Sequence, residues 1–248
     1  VIDRALLTAA ITGVPTRTYD GTDVATLTSG DYTLGGFIAG EGATITQTAG
    51  VYDSRNARTQ GVTATLGAGD FAAQSGTLLS NYVLPTSATG TGVIERALLT
   101  AAIIGDPRRA YDGTTAALLQ STNFQLSGLV AGDVLTVTQT QGLYDDKNAG
   151  ARSVWAQLGE GDFAAGTGTL ASNYVLPTSA VGLGTIDRAN LVATIIGYPT
   201  KRYDGTTGAT LAPADYAITG FVAGEGAAIN QTDGQYASAD PGVWTVTA

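Results

Sequence analysis

The sequence predicts an all-β protein: a tandem array of small antiparallel β-sandwich modules with immunoglobulin-like layering. Three observations carry that expectation. First, Tyr19-Asp20-Gly21-Thr22 returns as Tyr111-Asp112-Gly113-Thr114 and again as Tyr203-Asp204-Gly205-Thr206, a fixed step of 92 residues. Second, apolar residues alternate with polar ones in short runs, the period of a half-buried strand. Third, Gly, Asp and Asn punctuate those runs every few residues. Self-similarity at a fixed period marks a modular array, and this period is long enough for each copy to hold its own core. The modules are 1–92, 93–184 and 185–248, the third copy stopping at position 64 of the unit because 248 less 184 is 64. On that arithmetic the sequence is expected to be a piece of a longer polypeptide. A β-grasp-like module, sheet plus one short helix, is the alternative.

The elements follow in order. Ala5, Leu7, Ala9 and Ile11 recur as Ala97, Leu99, Ala101 and Ile103, and as Ala189, Leu191, Ala193 and Ile195. That face is constant, whereas Leu6 becomes Asn190 and Thr8 becomes Val192 on the other. One constant apolar face at period two is a half-buried strand. Tyr32 and Leu34 alternate with Asp31 and Thr33, and Gly40-Glu41-Gly42 reads as a turn. Ala43 to Thr46 alternates again, Val62, Ala64 and Leu66 share a face, and Tyr82 and Leu84 close the unit. Gly69-Asp70-Phe71-Ala72-Ala73 suits a single helical turn. Ser87 to Gly92 and Ser179 to Gly184, short and small-sided, read as connectors, so that Ile94 already begins the next strand.

Composition narrows the function. Cys, His and Met are all absent. Without Cys there are no disulfides, thiolate nucleophiles or Cys-based metal sites. Without His the usual general base and the commonest transition-metal ligand are missing. The formal net charge of −9 divides evenly: seven acids against four bases, then eight against five, then six against three. An evenly acidic array lacks the clustered Lys and Arg that nucleic acid requires. No apolar run approaches the roughly 20 residues of a membrane helix.

Four ordered motifs carry a family resemblance. In the second copy they are Arg109-Ala110-Tyr111-Asp112-Gly113-Thr114-Thr115, Val130-Ala131-Gly132-Asp133, Gly142-Leu143-Tyr144 through Asn148-Ala149-Gly150, and Asn173-Tyr174-Val175-Leu176. Together they resemble the YDG-type (MBG-like) repeat of large bacterial adhesins of the filamentous-haemagglutinin kind. The third copy departs after Tyr236, where Ala239-Asp240-Pro241-Gly242 replaces the Asn-Ala-Gly segment. The resemblance implies a repetitive, secreted, surface-exposed stalk or filament shaft, and no particular ligand.

Each tempting site also has a plain structural reading. Asp-Gly in Tyr-Asp-Gly-Thr suits a type I′ hairpin turn, with the Tyr ring in the core and its hydroxyl near the rim. Asp20, Asp53 and Asp70, with their copies Asp112, Asp145 and Asp162, are oxygen ligands on paper. Calcium takes six to eight oxygens, no Asp-x-Asp-x-Asp-Gly loop is present, and Ala237 stands where the other copies have Asp53 and Asp145. Intramolecular isopeptide bonds need a lysine in each module, and the only lysines are Lys147 and Lys201. A Thr–Gln ester at Gln47-Thr48 is the remaining covalent alternative. Trp155 replaces Thr63 and points away from the Val154, Ala156, Leu158 face, a candidate interface anchor. Trp244 is its counterpart if the third copy carries a short deletion.

The expectation is therefore a non-enzymatic structural region of a secreted bacterial surface adhesin, with no catalytic, cofactor or metal residues assigned. Its expected partners are the neighbouring repeats. Two alternatives stand beside it: a glycan- or protein-binding adhesin module, and a subunit of an extracellular filament completed by strands from other copies.

Overall fold

In the computed structural model, which describes residues 1–248, the alternating runs become strands and nothing longer than a three-residue 3-10 turn is helical. The β-grasp alternative, with its helix, is not the fold. The first repeat contains β1 (Ala5–Leu6), β2 (Thr8–Ile11), β3 (Thr16–Thr18), β4 (Val24–Thr26), β5 (Tyr32–Gly35) and β6 (Ala43–Ile45). It continues with β7 (Ala49–Tyr52), β8 (Arg58–Thr65), β9 (Phe71–Ala73), β10 (Tyr82–Val83) and β11 (Ser87–Glu95). Its main sheet has the order β4-β7-β8-β11-β2-β5, and β3 also pairs with β11. Two ribbons, β1 with β10 and β6 with β9, complete the all-β sandwich. Most pairings are antiparallel, but β11 meets β2 and β3 in parallel, and β1 meets β10 in parallel.

The strand β11 corrects one expectation. Ser87 to Gly92 is not a connector; it lies at the centre of the sheet, antiparallel to β8 from Ser87↔Thr65 to Ile94↔Arg58. Its small residues allow a close approach between backbones, a common reason for Gly inside a strand. A Cβ on Gly90 would lie 2.0 Å from the Ile11 carbonyl oxygen, and one on Gly92 would lie 2.8 Å from that of Pro15. The second repeat repeats the device: Gly182 faces the Ile103 carbonyl oxygen at 2.0 Å and Gly184 that of Pro107 at 2.7 Å. Ile94 is 1% exposed and belongs to the last strand of the first repeat. Burying a side chain of that size contributes about 1.5–3 kcal/mol.

Seven 3-10 turns share one local logic. They are Ser29–Asp31, Ala68–Asp70, Leu79–Asn81, Ser121–Asn123, Glu160–Asp162, Ala171–Asn173 and Pro213–Asp215. Each ends in Asp or Asn, and each is followed by Tyr or Phe opening a strand. In five of them the terminal side chain turns back onto the amide three residues earlier. Asp31 accepts from Thr28 N at 2.6 Å, Asp70 from Gly67 N at 2.7 Å, and Asn123 from Gln120 N at 2.9 Å. Asp162 with Gly159 N and Asp215 with Ala212 N do the same, both at 2.8 Å. A short acceptor that satisfies an orphan amide is why Asp and Asn favour such turns. The helical turn expected around Gly69-Asp70 is the second of these, and Phe71 already starts β9.

The chain divides into two compact units. Unit 1 comprises Val1–Ile104, Leu119–Thr140 and Trp155–Gly182. It therefore holds the first repeat together with part of the second: the ribbon of Ala97–Leu98 with Tyr174–Val175, the ribbon of Leu135–Val137 with Phe163–Ala165, and the pair Thr100–Ile103 with Phe124–Ser127. Its core is a single cluster containing Tyr19, Leu27, Ile45, Tyr52, Val62 and Ile94 of the first repeat and Leu99, Leu135 and Tyr174 of the second. Unit 2 comprises Gly105–Leu118, Gln141–Val154 and Leu183–Ala248. In it Ala116–Leu118 pairs with Gln141–Tyr144, Arg108–Ala110 pairs in parallel with Thr185 to Asp187, and Val192–Ile195 pairs with Tyr216–Thr219. Gly208–Thr210, Asp233–Tyr236 and Val246–Thr247 form its three-stranded sheet.

Candidate functional site

The Tyr-Asp-Gly-Thr turn is built the same way three times. Asp20 accepts from Thr22 N at 2.9 Å and from Thr22 Oγ1 at 2.8 Å; Asp112 does so with Thr114, and Asp204 with Thr206. The glycine follows with positive φ: +82° at Gly21, +80° at Gly113 and +77° at Gly205. The preceding Asp does not share that conformation, so this is an Asx turn with one left-handed residue and not the expected type I′ hairpin. The strands on either side explain the difference. β3 goes to β11 and β4 goes to β7, so the turn links strands that do not pair with each other.

A cation two residues before the tyrosine locks the turn. Arg17 pairs with Asp20, Arg109 with Asp112 at 2.7 Å, and Lys201 with Asp204 at 2.9 Å. The Arg109 guanidinium lies 5.6 Å from the Tyr144 ring centroid, and the Lys201 ammonium 5.9 Å from that of Tyr236, in cation–π range. Lys201 together with the Thr206 amide and hydroxyl pulls the Asp204 carboxyl down to about 2. The Thr114 amide and hydroxyl, with Arg109, lower that of Asp112.

The tyrosine of the turn reaches into the next repeat. Tyr19 Oη donates to Asp133 Oδ2 at 2.8 Å, and Tyr111 Oη donates to Glu225 Oε1, each partner 114 residues further along. Asp133 also accepts from Tyr174 Oη at 2.5 Å, and the Tyr19 and Tyr174 rings meet edge to face with centroids 5.4 Å apart. Burial and then the Asp133 carboxylate push the Tyr174 phenol up to about 12. The same two causes raise that of Tyr19, and the Glu225 carboxylate foremost raises that of Tyr111. The glycine of each turn sits over a valine of the next repeat. A Cβ on Gly21 would be 3.1 Å from Val130 Cγ1, and one on Gly113 would be 2.9 Å from Val222 Cγ1.

A second contact closes the first junction. Asn173, 2% exposed, accepts from Ala57 N at 2.9 Å and donates to Asn56 Oδ1 at 3.2 Å. Arg55 donates to the Gly168 carbonyl oxygen at 3.1 Å. Every group at this junction lies within unit 1, and Tyr111, Gly113, Val222 and Glu225 lie within unit 2.

The other candidates resolve as follows. Asp53 caps Gly61 N at 3.1 Å and Asp70 its own 3-10 turn. Asp20 and Asp112 are held in their Asx turns and Asp162 caps its own 3-10 turn, and no three acidic side chains come together as a metal cluster. Gln47 accepts from Ala49 N and donates to the Thr65 carbonyl oxygen. Trp155 is 41% exposed between Val154 and Ala156, both 0%, as its alternation predicts. Trp244 is not its counterpart. The pairs Tyr236↔Val246 and Gln235↔Thr247 match Tyr52↔Val62 and Val51↔Thr63 without any deletion, so Thr247 is the equivalent of Trp155. Trp244 occupies the place of Gln60 and Arg152. All three donate to the same loop carbonyl: Gln60 Nε2 to Asn56 O at 3.0 Å, Arg152 Nε to Asn148 O at 2.8 Å, and Trp244 Nε1 to Asp240 O at 2.8 Å.

Sequence reasoning missed Asn173, Asp133 and Glu225 as junction residues. The unchanged Asn-Tyr-Val-Leu-Pro-Thr-Ser segment was their signal, as was an acid held at positions 41, 133 and 225.

The YDG domain family matches residues 3–90 and again residues 95–181. No curated protein and no solved structure matches the chain.

Proposed function

The chain belongs to the YDG domain family, and we propose that it is a non-enzymatic spacer of a secreted bacterial surface adhesin, its repeats locked to one another in series. The observation that carries this reading is the tyrosine–carboxylate junction, made by Tyr19 with Asp133 and by Tyr111 with Glu225. A passive connector has no need of a directional polar pair at each joint. A spacer that transmits position does, because directional hydrogen bonds fix one arrangement where apolar contact alone tolerates several. The residues also suit extracellular service: no cysteine to oxidise, and an acidic surface that keeps copies soluble.

The test is placement on the cell. Antibody raised against these 248 residues should label intact cells of the source organism. Removing one 92-residue repeat from the protein should bring an epitope at its far end closer to the cell surface, with attachment strength per molecule unchanged. Labelling only after the cells are opened would contradict the proposal.

Trp155 supports a second reading, a glycan- or protein-binding face, because a tryptophan 41% exposed beside two fully buried residues is a ready anchor. A glycan array probed with the chain and with Trp155→Ala decides it: binding lost in the variant would move the function from spacer to receptor.

A further inference from the structure

Most strand pairs of a repeat are antiparallel, yet its last strand runs beside its first strands in the same direction. In the first repeat β11 meets β2 at Thr89↔Ala10 and β3 from Val93↔Thr16 to Glu95↔Thr18. Val93 N donates to the Pro15 carbonyl oxygen at 2.9 Å, and Tyr19 N to that of Glu95 at 2.8 Å. The second repeat does the same. In unit 1 Ala102 faces Val181 and Ile103 faces Gly182; in unit 2 Arg108 to Ala110 face Thr185 to Asp187. There Thr185 N donates to the Pro107 carbonyl oxygen at 3.0 Å, and Tyr111 N to that of Asp187 at 2.8 Å. Parallel pairing is slightly weaker per residue than antiparallel pairing, so equilibrium stability alone gives no reason for it here.

We propose that this parallel contact is a mechanical clamp, which lets each of the first two repeats carry tension along the chain without opening. Its use to the cell rests on the spacer reading above; its geometry does not. Tension pulls β2 and β3 toward their amino ends and β11 toward its carboxyl end. For parallel strands those two pulls oppose each other along one axis, so the bonds between them are loaded side by side and fail together. Antiparallel terminal strands would instead be peeled from one end, one bond at a time.

A buried tyrosine braces the clamp. Tyr52, 2% exposed, donates from Oη to the Pro15 carbonyl oxygen at 2.8 Å, and Tyr144 does the same to that of Pro107 at 2.8 Å. Each of those carbonyls therefore holds two donors, the phenol and the amide of Val93 or Thr185. Drawing Pro15 toward the amino end breaks both bonds at once. The close fit of the last strand resists sliding as well. A Cβ on Gly92 would stand 2.8 Å from the Pro15 carbonyl oxygen and 2.8 Å from Tyr52 Cε1. A one-residue slip of β11 toward its carboxyl end would carry the Thr91 side chain into that space.

Single-molecule stretching of the full chain tests this, and the absence of cysteine lets two introduced thiols define the points of pull. Forced unfolding follows the unfolding rate and not the equilibrium stability, so the direction of pull matters even when the fold is the same. Thr8→Cys with Glu95→Cys, both at exposed positions, loads β2 and β3 against β11 in shear. Thr18→Cys with Glu95→Cys starts at one registered pair and peels the same ladder. Thr8 and Glu95 stand 87 residues apart, so their rupture releases about 290–310 Å of extended chain and identifies the first repeat. The shear force is expected to be at least about twofold the peeling force, because evenly spaced parallel bonds share the load. Tyr52→Phe is expected to lower the shear force and to leave the initial peeling force unchanged. Equal forces in the two directions, or a shear force indifferent to Tyr52→Phe, overturn the clamp. Equal forces on a chain whose antibody labels intact cells would remove the clamp and leave the spacer. Unequal forces on a chain found only inside opened cells would leave the clamp and remove the spacer.

Discussion

Removing the Tyr174 hydroxyl is the sharpest local perturbation of the first junction. Tyr174 is 1% exposed and donates at 2.5 Å to Asp133, which also accepts from Tyr19 at 2.8 Å. A hydrogen bond to a charged acceptor contributes about 1.5–3 kcal/mol net, and the half-exposed position of Asp133 brings the expectation to about 1.5–2 kcal/mol for Tyr174→Phe. Tyr19→Phe is expected to cost about 1–2 kcal/mol for the same reason. The double substitution should exceed the sum by about 0.5–1 kcal/mol, the size of coupling between groups that share a partner. Either single variant leaves one phenol on the carboxylate. The double variant leaves only Thr169 Oγ1, 3.4 Å from the other carboxylate oxygen. The assay is urea unfolding read by Trp155 fluorescence, since Trp155 lies in unit 1 and Trp244 in unit 2, in a Trp244→Phe background. Single costs below about 0.5 kcal/mol, or strict additivity within about 0.3 kcal/mol, would refute the shared-acceptor argument.

Three further outcomes follow from the same geometry. Gly90→Ala places a Cβ 2.0 Å from the Ile11 carbonyl oxygen and is expected to cost about 3 kcal/mol or more, with Gly182→Ala behaving alike; calorimetry of each variant checks this. Gly21→Ala and Gly205→Ala both pay about 1–2 kcal/mol for a left-handed alanine, but only Gly21 faces a valine at 3.1 Å, so its cost should be greater by about 1 kcal/mol in parallel urea titrations. The Tyr174 phenol is raised from 10.0 to about 12, so its contribution is fully present below pH 10 and is lost as pH rises through 12. The urea midpoint of unit 1 should therefore fall more steeply across that window in the parent than in Tyr174→Phe.

How much of this was legible depended on which physical cue the sequence exposes. Leu7, Ile11, Val62, Ala64 and Leu66 declare a buried face by alternation, and all are at or below 5% exposure. Position 155 was read correctly by the same rule. Ser87 to Gly92 was not, because small residues in a loop and small residues in a crowded strand look alike; only the 2.0 Å approach to Ile11 separates them. Asp-Gly suggested a hairpin, since the pair fits one, but whether the flanking strands pair is a tertiary fact. The junction was invisible for a related reason. A tyrosine and a carboxylate 114 residues apart have no local signature, and the exact repetition of Asn-Tyr-Val-Leu-Pro and the acid held at 41, 133 and 225 are the two hints that these segments do more than close a sheet.

The amide of Ala57 gives the most direct reading of whether consecutive repeats are closed on each other in solution. Its acceptor is Asn173, 116 residues away, across the first junction. Native-state hydrogen exchange should be measured on the full chain and on Asn173→Ala. The junction account expects Ala57 to be protected in the parent and to exchange at least about tenfold faster in the variant, the fold-change of a lost bond near 1.4 kcal/mol, while Val62 in the middle of the sheet stays unchanged. An Ala57 amide that exchanges freely in the parent, or one indifferent to Asn173→Ala, would contradict it.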